Sequence, residues 1–145
     1  MRILVINPNT TVAMTEQIGR AARAAAASGT EIIAVNPMDG PVSIEGYSDE
    51  AFSVPGLLAE IAKGDATGFP HIATGLEAAH SVSFAPVIGI GEAAFHLASM
   101  LGHRFSVVTT LSRSIAATRK QSVEVRTGRS LRQGASMRAS GSFTR

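Results

Sequence analysis

The strongest constraint on the fold is the regular alternation of short apolar segments with helical segments along most of the chain. Residues 2–7, RILVIN, predict a strand, and PNTT stops this strand and opens a helix over 12–27. Residues 30–36, TEIIAVN, predict a second strand. Alternation of this kind is typical of a parallel sheet covered by helices. We therefore expect an α/β fold with a parallel sheet and helices on both faces.

The alternation continues further along the chain, with one interruption. The later predicted elements are a long loop over 37–55, helices over 54–64 and 92–102, and strands over 86–91 and 104–110. A third strand is due after Phe69, yet only residues 71–73 are there to supply it. We expect the neighbouring strands to lose ladder partners at this point. The exposed apolar surface would then favour aggregation or self-association into a homo-oligomer.

Composition narrows the class of protein. With 145 residues, 45% of them hydrophobic, the chain is long enough for one domain with a core. No window reaches the roughly 20 apolar residues of a membrane span, and no signal-peptide pattern is present, so we expect a cytoplasmic protein without membrane contact. The chain contains no cysteine. Disulfides, thiolate metal sites and any thiol acid, base or nucleophile are therefore excluded.

Polar residues follow several predicted strands at the edge where parallel sheets bind ligands. The carboxyl ends of the strands meet at this edge. PNTT after the first strand and VVTTLS around the last one would present amide and hydroxyl groups to a small anionic or imide-like ligand. The residues expected at this edge are Asn7, Pro8, Asn9, Thr10, Asn36, Gly91, Glu92, Thr109, Thr110 and Ser112. Taken singly, an Asn or Thr at a strand end is more often an ordinary turn or cap residue.

Other site chemistries have weaker support. GIGEAAF has two of the three glycines of a dinucleotide fingerprint, and PNTT lacks a glycine-rich phosphate loop, so we expect no nucleotide cofactor. His96 follows Glu92 by four residues, a spacing that could hold a metal, but no third ligand is evident. A helix-surface histidine is therefore expected, and no metal site. The serine nucleophile motif GxSxG is absent.

Four segments together resemble the Asp/Glu/hydantoin racemase family, and most closely its hydantoin racemases. These segments are MRILVINPNTT, PVSIEGYSDE, APVIGIGEAAFH and RFSVVTTLSRS, and the match covers residues 1–69 and 75–117. The resemblance implies one lobe of a two-lobed α/β fold and a small-molecule substrate, a 5-substituted hydantoin or a related amino-acid derivative. It also implies racemisation without a cofactor by two cysteines, one from each lobe. The positions that resemble the family's substrate contacts are Asn9, Thr10, Thr109 and Thr110.

The chain departs from the family pattern at two places. The family's first cysteine follows the third strand, where residues 70–74 here supply neither a sustained apolar run nor a thiol. Residues 118–145 contain seven Lys and Arg and one acidic residue, so this segment has a net charge of +6. The preceding residues have a net charge of −4. Its low apolar content predicts a disordered tail beside a racemase-like lobe over 1–117. We interpret both departures as frame-altered sequence, which sequencing of the encoding DNA would test.

The expected function follows from the chemistry of racemisation. A proton leaves one face of a stereocentre and another arrives on the opposite face, so two opposed acid/base groups are needed. We therefore expect a truncated, inactive racemase with no catalytic residue of its own. The alternative is a small-molecule binding module without catalysis. No nucleic-acid partner is expected, because the basic tail has one aromatic residue, Phe143, and no recognition motif.

Overall fold

The computed structural model describes strands and helices in two compact units. It describes residues 1–65, 71–73, 76–102, 104–109, 111–116, 118–119 and 136–139. One unit comprises Met1–Ile44 and Ser48–Ile90, and the other comprises Glu45–Tyr47 and Gly91–Arg145. In chain order the elements are β1 (Arg2–Ile6), α1 (Val12–Ala25), β2 (Glu31–Val35), α2 (Tyr47–Asp65), β3 (His71–Ala73), α3 (Leu76–Val82), β4 (Val87–Gly89), α4 (Ile90–Leu101), β5 (Ser106–Thr109) and β6 (Ser136–Ala139).

The first unit is built on a parallel sheet with strand order β2-β1-β3-β4. β1 pairs with β2 along its whole length, from Arg2 opposite Glu31 to Ile6 opposite Val35. Parallel neighbours need a crossover connection, and the helix α1 supplies it between β1 and β2. The predicted α/β class and parallel sheet are confirmed.

Helices cover both faces of this sheet because side chains of β1 alternate between them. Leu4 and Ile6 face one side, where they pack with Leu57 and Ile61 of α2 in a buried cluster that also includes Ala79 of α3. On the opposite face α1 lies so close to β2 that a Cβ added at Gly19 would sit 2.8 Å from the Cβ of Ala34. The predicted placement of helices on both faces is thus confirmed.

The interrupted third strand is present as β3, three residues long, between β1 and β4. Leu4 lies opposite His71 in one ladder, and His71 and Ala73 lie opposite Val87 and Gly89 in the other. The expectation that neighbouring strands lose their partners at this point is therefore wrong. Ladder hydrogen bonds use backbone groups alone, so three extended residues close the sheet even where the apolar pattern of a strand is short.

The second helix begins earlier than the sequence predicts. α2 starts at Tyr47 rather than at residue 54, so it includes much of the segment assigned to a loop. Asp49 and Glu50 lie in its first turn, where carboxylates interact favourably with the helix dipole. Pro55, which cannot donate a backbone hydrogen bond, lies inside the helix. The connection between β2 and α2 is therefore shorter than expected.

The second unit contains most of α4 and a parallel pair of strands, β5 and β6. Phe95 of α4 is buried and stacks on Phe105, with ring centroids 5.9 Å apart. After β5, Arg113 forms an ion pair with Glu45, and the Ser114 hydroxyl donates to the Glu45 carbonyl at 3.1 Å. These contacts join the short segment Glu45–Tyr47 to the rest of the unit.

β6 lies inside the segment expected to be a disordered tail. Its residues pair in parallel with β5, from Ser136 opposite Ser106 to Ala139 opposite Thr109. Such pairing is possible because the backbone edge of a strand can pair with an extended segment whatever its charge. The expected disorder of the tail stays a prediction. Residues 120–135 and 140–145 lie outside the described chain, and the boundary at residue 117 stays a prediction. Among the described helices, none is both long and apolar enough to cross a membrane.

Candidate functional site

The candidate site is the turn that joins β1 to α1, residues 7–11. Asn7 follows the last residue of β1, and its backbone N–H donates to the carbonyl of Val35 at the end of β2 at 2.9 Å. This bond fixes the turn to the carboxyl edge of the sheet. Asn36 follows β2 at the same edge, with its amide nitrogen donating to the Pro37 carbonyl at 3.0 Å.

A network of buried amide and hydroxyl groups shapes the turn. The Asn9 side-chain oxygen accepts from the Thr11 backbone N–H and from Asn7 Nδ2, both at 2.9 Å. Asn7 Nδ2 also donates to Thr15 Oγ1 of α1 at 3.0 Å. Asn7, Asn9 and Thr15 are only 4%, 6% and 5% exposed, so each hydrogen bond offsets the cost of removing these groups from water.

The loop after β2 is bound to the same turn. The Thr10 backbone N–H donates to the Pro41 carbonyl at 3.0 Å, and the Thr11 hydroxyl donates to the Val42 carbonyl at 2.6 Å. Thr10 Oγ1 lies 3.5 Å from the same Pro41 oxygen, the limit of a hydrogen bond. The half-buried Thr10 hydroxyl is therefore weakly held and can reorient toward a ligand.

The chemistry of the turn is neutral. Its side chains are amides and hydroxyls, which donate and accept hydrogen bonds but do not titrate near neutral pH. Exposed apolar side chains adjoin it: Val12 follows Thr11 in the chain, and Met14 Sδ lies 3.3 Å from Asn9 Nδ2. The turn can thus bind a small polar group beside an apolar surface, but its own side chains cannot exchange a proton with carbon.

The remaining predicted site residues belong to later parts of the chain. Thr109 is the last residue of β5, in the second unit, and Thr110 lies outside the described residues. β4 ends at Gly89, so Gly91 and Glu92 belong to the first turn of α4 rather than to a loop after the strand. Asn9 and Thr10 are therefore the pair of predicted contacts that the structure brings together.

The histidines show no metal arrangement in the described part of the chain. Nε2 of His96 lies 4.0 Å from a carboxylate oxygen of Glu92 on the exposed surface of α4. His80 sits in the last turn of α3, with Nε2 3.0 Å from the Val87 carbonyl. Within the described residues, no group of three or more His, Cys, Asp or Glu is placed to hold a metal ion.

Two residues of α1 that contact the turn, Thr15 and Met14, were not predicted from the sequence as part of the site. Both reach the turn because residues three and four positions after Thr11 return to the same side of a helix. Their backbone N–H groups donate to the Thr11 carbonyl, each at 3.1 Å. The signal that could have found Thr15 is its spacing of four residues from Thr11, which immediately precedes the predicted helix.

The first unit thus defines an α/β protein whose parallel sheet carries a neutral, hydrogen-bonding turn at its carboxyl edge. Comparison with known proteins gives the family. The model of the Asp/Glu/hydantoin racemase family matches residues 3–138, so the chain belongs to this family. The resemblance drawn from four sequence segments is confirmed, and the match extends through β5 to β6.

Individual relatives support the same assignment. A hydantoin racemase of Pseudomonas sp. (strain NS671) is 52% identical over an alignment of 119 residues, and the match covers 78% of this chain and 48% of that protein. A hydantoin racemase of Rhizobium meliloti is 47% identical over an alignment of 121 residues, and the match covers 79% of this chain and 50% of that protein. The solved structure of allantoin racemase from Klebsiella pneumoniae has a TM-score of 0.86 at 46% identity and covers 94% of this chain and 57% of that one. The chain spans about half the length of the curated relatives it matches.

Proposed function

We propose that the chain carries part of the substrate site of a cofactor-independent racemase for 5-substituted hydantoins or related amino-acid derivatives. We further propose that the 145-residue chain binds such molecules without racemising them. The observation that supports the proposal most is the 52% identity to a hydantoin racemase in a stretch that makes up 78% of the chain. The proposed substrate contacts are Asn9, Thr10, Thr109 and Thr110. A cytoplasmic location stays a prediction from the sequence.

The chemistry of the β1–α1 turn is consistent with a hydantoin ring. The ring carries two carbonyl acceptors and two N–H donors, and the Asn9 amide and Thr10 hydroxyl can bond to groups of these kinds. Val12 and Val42 are exposed next to Thr11 and offer apolar contact to a substituent on the ring. Allantoin, whose substituent is polar, would gain less from these side chains.

Racemisation requires more than binding. A base must take the proton from the ring carbon that bears the substituent, which leaves an enolate, and an acid on the opposite face must return a proton. The family resemblance implies that two thiols do this, and the chain contains no cysteine. The amides and hydroxyls of the turn offer no replacement. Binding without the acid/base pair lowers no barrier for the chemical step, so no turnover is expected.

Binding is tested by the rise in melting temperature of the 145-residue protein with a 5-substituted hydantoin at millimolar concentration. The variant T10V keeps the β-branched shape but loses the hydroxyl, so we expect a smaller rise. T30V is the matched control, since Thr30 immediately precedes β2 at the opposite edge of the sheet. Absence of any rise for the unaltered protein would refute the proposed binding.

Catalysis is tested separately with an enantiomerically pure 5-substituted hydantoin. Hydantoins racemise slowly without enzyme, so the loss of optical rotation is compared with a sample that contains no protein. We expect the two rates to be equal at every protein concentration. A rate proportional to protein concentration would overturn the proposed lack of turnover while leaving the family assignment intact.

A further inference from the structure

We infer that Thr15, acting through Asn7, is a positioning residue that, together with the Thr11 backbone N–H, holds the Asn9 amide so that its N–H group faces the ligand. This inference rests on the proposed function, since it specifies how the hydantoin site is held. It assigns a hydrogen-bond acceptor, a carbonyl or imide oxygen, to the part of the ligand that Asn9 contacts.

The directions of the hydrogen bonds follow from one backbone group. The Thr11 N–H can only donate, so the atom of Asn9 that lies 2.9 Å from it must be the side-chain oxygen. The Asn7 atom at 2.9 Å from this oxygen must then be the amide nitrogen. An amide nitrogen is a donor, so Thr15 Oγ1 accepts from it at 3.0 Å.

The Thr15 hydroxyl completes the network. Its lone pair is used by Asn7, and its own hydrogen is directed to the Thr11 carbonyl at 3.2 Å. While its hydrogen is directed to the Thr11 carbonyl, the Thr15 hydroxyl offers Asn7 a lone pair, and this favours the orientation in which the Asn7 amide nitrogen faces it. Asn7, Asn9 and Thr15 are all at least nine-tenths buried. Reversing one amide would therefore place two donors or two acceptors against each other in the interior, and the lost hydrogen bonds would destabilise that arrangement.

The outward face of Asn9 is consequently a donor. In the described part of the chain, the acceptor near Asn9 Nδ2 is Met14 Sδ at 3.3 Å. A thioether sulfur is a weak acceptor on a flexible side chain, and Met14 is 45% exposed. A ligand carbonyl is a stronger acceptor than this sulfur and can replace it once the Met14 side chain moves aside.

The test compares two ligands on the whole 145-residue protein. One is a 5-substituted hydantoin, and the other is the corresponding 2,4-dithiohydantoin, in which weakly accepting sulfur replaces both carbonyl oxygens. We expect the unaltered protein to bind the hydantoin at least about fivefold more tightly, the effect of one good hydrogen bond. We expect T15V to lose part of this preference, since the Thr11 N–H still holds the Asn9 oxygen, and T15S, which keeps the hydroxyl, to retain it.

The matched control is S53A. Ser53 is also a buried helix hydroxyl that donates to a backbone carbonyl, that of Glu50 at 2.8 Å, but it lies in α2. The variant S53A should lower the melting temperature about as much as T15V does and leave the ratio of the affinities for the two ligands unchanged. A merely structural role for Thr15 would lower the melting temperature and leave that ratio unchanged as well.

A second variant keeps the inference testable even if T15V does not fold. M14L removes the sulfur that accepts a hydrogen bond from Asn9 Nδ2 in the free protein. The ligand then no longer competes with this sulfur, so the preference for the hydantoin should rise about twofold to threefold. Equal binding of both ligands by the unaltered protein, or an unchanged preference in T15V or M14L, would overturn the inference alone. If the unaltered protein binds neither ligand, the proposed function itself is wrong, and the inference falls with it.

Discussion

At the scale of single residues, Leu57 carries much of the core of the first unit. Its side chain is fully buried against Leu4 and Ile6 of β1. Replacing it with alanine leaves a cavity between helix and sheet, so we expect L57A to lose about 2–5 kcal/mol of unfolding free energy. Urea unfolding followed by circular dichroism measures this. Phe52 on the same helix is 75% exposed, and F52A should change the same quantity by no more than about 0.5 kcal/mol.

At this scale, the sequence predicts the location of a site residue when that location depends only on which strand the residue follows. Asn9 and Thr10 follow a strand directly, so the carboxyl-edge rule places them at the turn. Their partners are decided by the turn's three-dimensional geometry. The sequence does not indicate that the Asn9 oxygen is used by Thr11 and Asn7, which makes the amide a donor toward any ligand.

At the scale of elements, the approach of α2 to the loop after β2 depends on Gly56. A Cβ at this position would lie 2.7 Å from the Cβ of Pro37 and 2.9 Å from the Asp39 carbonyl oxygen. Alanine favours a helix over glycine by about 1 kcal/mol, but these contacts involve a proline ring and a backbone atom that cannot move aside. We expect G56A to be destabilised by about 1–2 kcal/mol despite the gain in helix propensity.

The control for G56A is the same substitution in open space. A Cβ at Gly46 would meet no atom within 4 Å, so G46A should change the unfolding free energy by about 0.5 kcal/mol or less. Thermal unfolding of both variants beside the unaltered protein makes the comparison. Equal stability of G56A and the unaltered protein would mean that α2 does not pack against the loop as described.

Elements are predicted well from sequence where the apolar pattern is long. β1, α1 and β2 agree with expectation to within two residues at each end. The sequence does not predict the pairing of β3, because this pairing is a backbone property and three residues give too short a pattern for period analysis. The start of α2 at Tyr47 also differs from the predicted start at residue 54, and Pro55 lies in the interior of the helix.

At the scale of the whole molecule, each of the two units has its own described packing. The first has the sheet and the buried cluster around Leu57. The second has the stacked pair Phe95 and Phe105 and the ion pair of Arg113 with Glu45. A family match over residues 3–138 covers both units, whereas the motifs recognised in the sequence stop at residue 117. The segment with β6 was thus beyond what apolar periodicity could assign.

Exposed apolar surface on α4 leads to the prediction of self-association. Leu97, Met100 and Leu101 lie at the spacing of one helix face, and all three are exposed. Apolar stripes of this kind favour association in water, so the apparent mass in light scattering after size exclusion should rise with protein concentration. L97K/M100K should reduce this rise, because each lysine places a charge in the stripe.

The same experiment needs a control for charge alone. Q17K adds a lysine to the exposed, polar side of α1, so it alters the net charge without touching the stripe. If Q17K reduces association as much as L97K/M100K does, general charge repulsion is the cause and α4 is not involved. Surface substitutions of this kind change stability by about 0.5 kcal/mol or less, so unfolding should not confuse the result. A constant monomer mass for the unaltered protein at every concentration would contradict the prediction.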